Sequence, residues 1–256
     1  MSVHPFSSRL RLLYLALLLL ATPGCSLPTS LLSGGRMPLE ETTLEGEGRD
    51  KILLLDISGL ITSQETSSGL IFPQTEPSVV DKVKEMLKKA EGDDRVKAVV
   101  LRINSPGGTV TASDIIYQEL IGFKERAKRP LIVSIVDLGT SGAYYIAQSA
   151  DRIFAHPTAV TGSIGVIMVQ TNIAGLLEKV GVQTTEIKSG EKKFMGSPFR
   201  PMAPEEQAIF QKVITSMHQQ FLAVVAKGRP NLPQKELVAA ADGRIYTAQQ
   251  AKELGL

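Results

Sequence analysis

The sequence predicts a single α/β domain in which mostly parallel strands alternate with helices. From Lys51 onward, short apolar runs of strand length alternate with longer stretches whose apolar residues recur at helical spacing. This alternation favours a parallel sheet, because parallel strands need a crossover connection between them. The chain has 256 residues, 43% of them hydrophobic, which is enough to bury one good-sized core or at most two small ones. Since we find no internal repeat, we expect one folded unit over residues 50–256.

Three strands and two helices are predicted for the first part of this unit. Each helix is expected to begin at a hydroxyl residue followed three positions later by an aspartate, namely Ser78 with Asp81 and Thr111 with Asp114. Pro130 precedes the third strand. The predicted strands are 52–57, 96–103 and 131–136, and the predicted helices are 78–90 and 111–126.

The second part predicts shorter elements and one long helix. Pro204 suits a first helical turn, where its missing N–H is not needed, and this helix is expected to reach about Lys227. Two short helices are predicted to end the chain, separated by the turn Asp242-Gly243. The other predicted elements are helices at 141–150 and 173–180 and extended segments at 152–155, 164–169 and 182–187.

Residues 1–24 have the form of a lipoprotein-type signal sequence. An apolar run at 12–21 follows two arginines and would span only about 15 Å as a helix, roughly half of a bilayer core. Cleavage by a lipoprotein signal peptidase would leave Cys25 as a lipid-modified N-terminus. Thr22 stands where such signals usually have leucine. Cleaved secretion without lipid and an uncleaved anchor are the alternatives.

Residues 25–49 are predicted to form a flexible tether between a membrane-held Cys25 and the folded unit. They are rich in Ser, Gly, Thr, Pro and Glu and lack periodicity. An irregular arm packed on the domain is the alternative. Anchoring of this kind predicts a bacterial cell-envelope location, facing the periplasm or the cell exterior.

Charge and cysteine content argue against several classes of protein. The formal net charge is +2, and because the leader holds two arginines and no acid, the rest of the chain is balanced. No nucleic-acid partner is therefore expected. Cys25 is the single cysteine, so an internal disulfide is impossible. No cluster of metal-ligating residues is visible, and we expect neither a metal nor an organic cofactor.

Ser141 stands where a predicted strand turns into a predicted helix, in Thr140-Ser141-Gly142-Ala143-Tyr144-Tyr145. A serine hydroxyl needs an adjacent base to act as a nucleophile, and only three histidines are available. The N-terminus of a helix favours negative charge, and the Gly142 N–H, directly after Ser141, is suited to bind a tetrahedral oxyanion. An ordinary N-capping serine is the alternative.

A glycine turn follows the second predicted strand, in Asn104-Ser105-Pro106-Gly107-Gly108. Two glycines after a proline let the backbone approach a ligand closely, so Gly107 and Gly108 are candidates for a second oxyanion donor. The turn could also line a groove where an extended peptide pairs as an added strand. A simple tight turn is the alternative. A phosphate loop is not expected because the Gly-Lys-Ser/Thr ending is absent.

Lys193 is the candidate base, in the run Lys188-Ser189-Gly190-Glu191-Lys192-Lys193. A lysine that accepts a proton must be neutral, and burial together with neighbouring positive charge favours the neutral form. Three lysines on a solvated loop are the alternative. Ser163, in Thr161-Gly162-Ser163-Ile164-Gly165, is a candidate to hydrogen-bond this lysine and aim it at Ser141; a turn serine bonded to its own backbone is the alternative.

These motifs, in this order, resemble the signal peptide peptidase family of the SppA type. This is a group of Ser–Lys peptidases related in fold to the Clp protease subunit and the crotonases. The resemblance extends from about Ile52 to Leu256. It is carried by Arg102-Ile103-Asn104-Ser105-Pro106-Gly107-Gly108, Ser141-Gly142-Ala143-Tyr144-Tyr145-Ile146-Ala147, Thr161-Gly162-Ser163-Ile164-Gly165-Val166, the Lys188–Lys193 run, Ser197-Pro198-Phe199-Arg200 and Gly243-Arg244-Ile245-Tyr246.

The resemblance implies a Clp protease/crotonase-like fold and a catalytic pair of Ser141 as nucleophile and Lys193 as general base. It further implies that Ser163 orients the lysine and that the Gly107-Gly108 turn and Gly142 supply oxyanion donors. Relatives of single-unit length assemble as homo-oligomeric rings in which serine and lysine meet across a protomer boundary. Their substrates are remnant signal peptides. Phe194 departs from the family pattern, which often has aspartate there.

Two other functions remain open on the sequence alone. An α/β-hydrolase-type esterase would use the near-elbow Gly139-Thr140-Ser141-Gly142-Ala143 with His156 or His218 as base. A non-catalytic, lipid-anchored scaffold would keep the fold without the chemistry. Replacement of Lys193 or of His218, and labelling of Ser141 by a fluorophosphonate, separate these functions from a Ser–Lys peptidase.

Overall fold

The computed structural model describes residues 39–68 and 74–256. The predicted leader, Cys25 and the first part of the predicted tether lie outside the described residues. Residues 39–49 carry no helix or strand, and nearly all are exposed. Lys51 pairs with Glu41 at 2.5 Å, and Lys89 Nζ donates to the Leu39 carbonyl at 2.5 Å. Within the described ranges, no helix combines the length and the apolar character needed to cross a bilayer.

The elements in chain order are β1 (Lys51–Ser58), β2 (Thr66–Ser68), β3 (Gln74–Glu76), α1 (Val79–Glu91), β4 (Val96–Ser105), α2 (Val110–Ala127), β5 (Leu131–Thr140), α3 (Gly142–Ala147), β6 (Arg152–Ala155), β7 (Val160–Gly162), α4 (Ala174–Lys179), α5 (Pro204–Gly228), α6 (Gln234–Ala240), β8 (Ile245–Thr247) and α7 (Ala248–Leu254). A 3₁₀ turn at Glu191–Phe194 lies between α4 and α5. Contacts divide the described chain into a small unit that contains the antiparallel pair β2–β3 and a larger unit with all the other elements.

The larger unit is built on one sheet with the strand order β1-β4-β5-β7-β8, and β6 also pairs with β5. All of these pairings are parallel except β7–β8. β5 is long enough to pair with β6 along its first half and with β7 along its last three residues, Leu138 to Thr140. The predicted α/β class with mostly parallel strands is therefore confirmed.

The core lies between one face of this sheet and helices α1 and α2. Side chains alternate along a strand, so Leu55 and Ile57 of β1 share a face with their register partners Leu101 and Ile103 of β4. All four are fully buried. Each such side chain stabilises the fold by about 1.5–3 kcal/mol relative to an exposed one. The helices contribute the buried residues Val83, Leu87, Ile116 and Leu120.

A second apolar cluster joins α3 to α5 and α6. The Tyr145 ring of α3 packs edge-on against the Tyr117 ring, with ring centroids 5.5 Å apart, and also packs against the Phe221 ring, with centroids 5.1 Å apart. Val225 of α5 and Leu237 of α6 are fully buried in the same cluster. Because α3 is buried along its whole length, the turn that precedes it is held between α2 and α5.

Several predicted boundaries were wrong. The second helix begins after Thr109, whose hydroxyl accepts from Ala112 N at 3.3 Å, because the glycine turn ends early enough for this threonine to take the cap position instead of Thr111. The helix after Ser141 is shorter than predicted, and β5 continues to Thr140. Residues 164–169 and 182–187 form no strand, since no neighbouring strand of the described chain pairs with them. β7 and β8 were not predicted.

Candidate active site

The candidate site lies at the carboxyl ends of three neighbouring strands, β4, β5 and β7. Parallel pairing aligns Thr140 of β5 with Gly162 of β7, so Ser141 and Ser163 follow adjacent strand ends. The Ser141 N–H donates to the Gly162 carbonyl at 2.8 Å, which continues the ladder by one residue. The glycine turn after β4 approaches from the other side. The sheet therefore gathers three of the sequence-predicted segments at one edge.

Ser141 has an unusual backbone conformation, with φ 53° and ψ −123°. This region is the one used by the first central residue of a type II′ turn and is normally occupied by glycine. Ser141 makes no side-chain cap bond to α3 and is only partly buried. The alternative of an ordinary capping serine is therefore not supported. A non-glycine residue in this region is strained and keeps its conformation only because the surrounding structure holds it there. Such strained residues are common at active sites.

Two backbone N–H groups beside Ser141 are suited to bind an oxyanion. Gly142 is the first residue of α3, so its N–H has no partner within the helix. A Cβ built on Gly142 would lie 3.2 Å from Gly108 N, which shows how close the two residues are. No hydrogen bond within the described chain uses either N–H. The Gly107 N–H, in contrast, donates to Ser105 Oγ at 3.0 Å.

Gly107 serves close packing rather than donation in this structure. Its φ is +98°, and a Cβ there would lie 2.7 Å from Gly142 N and 2.9 Å from the Ser141 Cβ. Ser105 holds the turn, since its hydroxyl also donates to the Gly59 carbonyl at 2.6 Å. Sequence reasoning missed Ser105, although it lies inside the quoted motif.

Gly142 packs just as closely against α2. A Cβ on Gly142 would meet Ser113 Oγ at 2.2 Å, and Ser113 is buried with its hydroxyl donating to the Thr109 carbonyl at 3.0 Å. The sequence contains no local signal for this contact, because Ser113 precedes Gly142 by almost thirty residues. Only glycine fits between α2 and the end of β5.

The Ser141 pocket is a mostly apolar recess beside the nucleophile candidate. Sequence reasoning missed its members on α5, Met217 and Phe221, although their i, i+4 spacing marks one helix face. Tyr145 is fixed by its hydroxyl, which donates to Asp114 at 2.7 Å; burial and this carboxylate raise the pKa of Tyr145. The pocket is lined by Gly108, Val110, Ser113, Ser141, Gly142, Tyr145, Gly165, Val166, Met217 and Phe221.

Lys193 lies in the 3₁₀ turn Glu191–Phe194, called here the Lys193 turn. Its N–H donates to the Gly190 carbonyl at 3.0 Å, and its side chain is exposed. Lys193 does not line the Ser141 pocket, and the described chain contains no hydrogen bond or ion pair from its amine. One copy of the chain therefore does not bring Lys193 to Ser141.

Ser163 directly follows β7, the strand that pairs with the end of β5. It has a positive φ of 51°, is partly buried, and its N–H donates to the Arg244 carbonyl at 2.7 Å. The histidines considered for an esterase do not line the Ser141 pocket: exposed His156 contacts Thr158 Oγ1 at 2.9 Å, and His218 lies on α5. Among the described residues, no group of His, Cys, Asp or Glu is arranged to hold a metal ion.

Comparison with known proteins identifies relatives of this chain. The profile of Peptidase family S49 matches residues 124–256. A candidate signal peptide peptidase SppA of Enterococcus faecium is 39% identical over 85% of this chain and 62% of its own length. A candidate protease of Synechocystis is 40% identical over 81% of this chain and 69% of its own length. This chain thus spans less than two thirds of the Enterococcus relative.

A solved structure gives a weaker likeness. A ClpP1 mutant from Listeria monocytogenes is 17% identical, with a TM-score of 0.49, over 79% of this chain and 86% of that chain.

Proposed function

Because this chain belongs to peptidase family S49, a family of serine-type peptidases, we propose that it is a membrane-associated endopeptidase that cleaves extended apolar peptides with Ser141 and Lys193. The comparisons thus confirm the family and the enzyme class that the motifs predicted. The observation that carries the proposal is the strained turn at Ser141, whose hydroxyl makes no cap hydrogen bond and lies beside two unused N–H groups and a small apolar pocket.

The proposed reaction is acyl transfer through Ser141. Ser141 Oγ attacks the peptide carbonyl while Lys193, as a neutral amine, takes the hydroxyl proton and returns it to the leaving amine. The carbonyl oxygen becomes an oxyanion that accepts from the N–H groups of Gly108 and Gly142. Water then hydrolyses the acyl-enzyme with Lys193 as base again. Ser163 is proposed to orient Lys193, since it follows the strand that is paired beside Ser141.

We propose that Lys193 reaches Ser141 of a neighbouring copy in a homo-oligomeric ring. An exposed lysine is charged and strongly hydrated, and it becomes a base only when an assembled site buries it. The segment that precedes the Lys193 turn exposes large apolar side chains, as expected for an interface. These are Ile167, Val169, Leu176, Val180, Val182 and Ile187, which are 50–98% exposed.

The substrate class follows from the Ser141 pocket and the predicted leader. A pocket walled by Val110, Val166, Met217 and Phe221 favours an apolar side chain next to the cleaved bond. Remnant signal peptides are extended and apolar, and a chain held at the membrane through a lipidated Cys25 would meet them there. Cys25 lies outside the described residues, so the anchor is a proposal from sequence.

The test uses a synthetic leader peptide and a fluorophosphonate probe for Ser141. Ser141→Ala and Lys193→Ala should each abolish cleavage, whereas Lys88→Ala, an exposed lysine in the last turn of α1, should leave it unchanged. Co-expressing the two inactive variants tests the shared site. In a mixed ring, each site takes its serine from one copy and its lysine from the neighbouring copy. Each of the two residues is intact in about half of the copies, so about a quarter of wild-type activity should return.

The outcomes separate the candidate functions. Full activity in Lys193→Ala, with loss only in His218→Ala, would favour the esterase. Failure of the wild type to label or cleave would favour a non-catalytic scaffold. If both single variants are inactive but their mixture stays inactive, the pair lies within one chain and the shared site is wrong.

A further inference from the structure

We infer that Arg200 and Glu206 form a positioning pair that holds the Lys193 turn against the first turn of α5. This inference rests on the proposed function, because it assigns the pair a role that acts through Lys193. The pair contributes no residue to the lining of the Ser141 pocket, so we assign it a positioning role and not direct contact with the substrate.

Arg200 holds the residue next to Lys193 in two ways. Its guanidinium carbon lies 5.6 Å from the centre of the Phe194 ring, within cation–π distance. Its Nη2 also approaches the Phe194 carbonyl at 3.4 Å. Phe194 thus provides both a face and a backbone acceptor for one guanidinium.

Glu206 anchors the other side of that guanidinium. Arg200 Nη2 and Nη1 donate to its two carboxylate oxygens at 2.5 and 3.1 Å, the forked geometry specific to arginine. Glu206 is only 4% exposed and also accepts from Ala203 N at 3.3 Å. Hydrogen bonds from Arg200 lower the pKa of Glu206, so the carboxylate is charged at neutral pH. A buried charge is stable only when paired, so the pair forms a fixed point on α5.

The other neighbour of Lys193 is held to the same helix turn. Lys192 Nζ pairs with Glu205 at 2.5 Å. Further along, the turn of Gly196 packs so closely on α5 that a Cβ there would lie 2.9 Å from the Phe210 ring. Lys192 is thus paired with α5 directly and Phe194 is linked to it through Arg200, whereas Lys193 is exposed.

The Phe194 ring gives Arg200 a surface to stack on while the guanidinium pairs with Glu206. The same helix carries Met217 and Phe221 of the Ser141 pocket, so one rigid element relates the turn to the protein's own pocket.

The first experiment measures cleavage of the leader peptide by Arg200→Gln, with Arg126→Gln as the matched control. Arg126 forms a similar forked pair with Glu91, which joins the last turns of α2 and α1 and involves no residue of the Lys193 turn or α5. We expect kcat to fall by about 10²-fold in Arg200→Gln with KM little changed, since small misplacement of a catalytic group costs about that factor. Arg200→Lys should not rescue kcat, because an ammonium cannot donate in a fork and stack at once. Arg126→Gln should resemble the wild type.

A second pair of variants decides the case if Arg200→Gln does not fold. Phe194→Tyr keeps the ring under the guanidinium and should retain activity, whereas Phe194→Leu keeps an apolar side chain without the ring and should lose it. A packing role alone would be preserved by leucine. Equal activity of these two variants would overturn the stacking role.

The third measurement tests whether the pair acts through the lysine. The rate of fluorophosphonate labelling of Ser141 is compared in Arg200→Gln, Lys193→Ala and the double variant. We expect no further loss when Arg200→Gln is added to Lys193→Ala. Additive losses, or an Arg200→Gln enzyme indistinguishable from Arg126→Gln, would overturn the inference. An unaffected Lys193→Ala enzyme would instead contradict the proposed function itself.

Discussion

The strained backbone at Ser141 predicts that glycine is more stable than alanine at this position. At φ 53° and ψ −123°, an L-residue pays about 1–3 kcal/mol that glycine does not pay. Glycine loses about 0.4–1 kcal/mol in return because it adds freedom to the unfolded chain. Ser141→Gly should therefore be more stable than Ser141→Ala by about 0.5–2 kcal/mol, although both lack the proposed nucleophile.

The assay is urea unfolding of both variants at the same protein concentration, followed by circular dichroism or by tyrosine fluorescence, since the chain has no tryptophan. For a domain of this size, each kcal/mol also raises the thermal midpoint by about 2–4 °C. Because both variants lack the proposed nucleophile, self-cleavage should not distort the comparison.

Ser58 is the matched control, because it is an exposed serine at the end of β1. Its φ is not positive. There the order should reverse, with Ser58→Gly less stable than Ser58→Ala by about 0.5–1 kcal/mol. If Ser141→Gly is also the less stable variant at its site, the turn holds no strain and the argument for a preformed nucleophile position is refuted.

Two further predictions concern the glycine turn and the anchor on α5. Gly107→Ala should lose about 1–3 kcal/mol more stability than Gly243→Ala and should slow labelling of Ser141. Both glycines have a positive φ, but of the two only Gly107 would bring a Cβ against neighbouring backbone. Equal losses of stability in urea unfolding would contradict the close packing at Gly107. Because the pKa of Glu206 is lowered in the folded state, its charged form stabilises the fold at pH values above the usual pKa of 4.5. This contribution is lost as the pH falls through the lower pKa of the folded state. The stability difference between the wild type and Glu206→Gln should thus be constant at neutral pH and shrink below about pH 4.5, and a constant difference down to acid unfolding would refute it.

The sequence alone determined the fold class and which segments are proposed to carry the chemistry. Strand–helix alternation depends on residues at most a few positions apart, and so does the cap at Ser78, whose hydroxyl accepts from Asp81 N. Ser141 was identified for the same reason, since a serine between a strand and a helix is a local pattern. The positions of Lys193 and Ser163 in order along the chain pointed to the family, which the comparisons confirmed.

Only the tertiary structure decided how these segments meet. The Gly107 N–H is occupied by Ser105, Gly142 packs on Ser113, and α5 supplies Met217 to the pocket. The contacts of Gly142 and Met217 join elements that are far apart in the sequence, so no local pattern specifies which element each residue meets. The exposure of Lys193 could not be predicted for the same reason. The sequence identifies the lysine, but the packing of its turn on α5 decides where the amine lies.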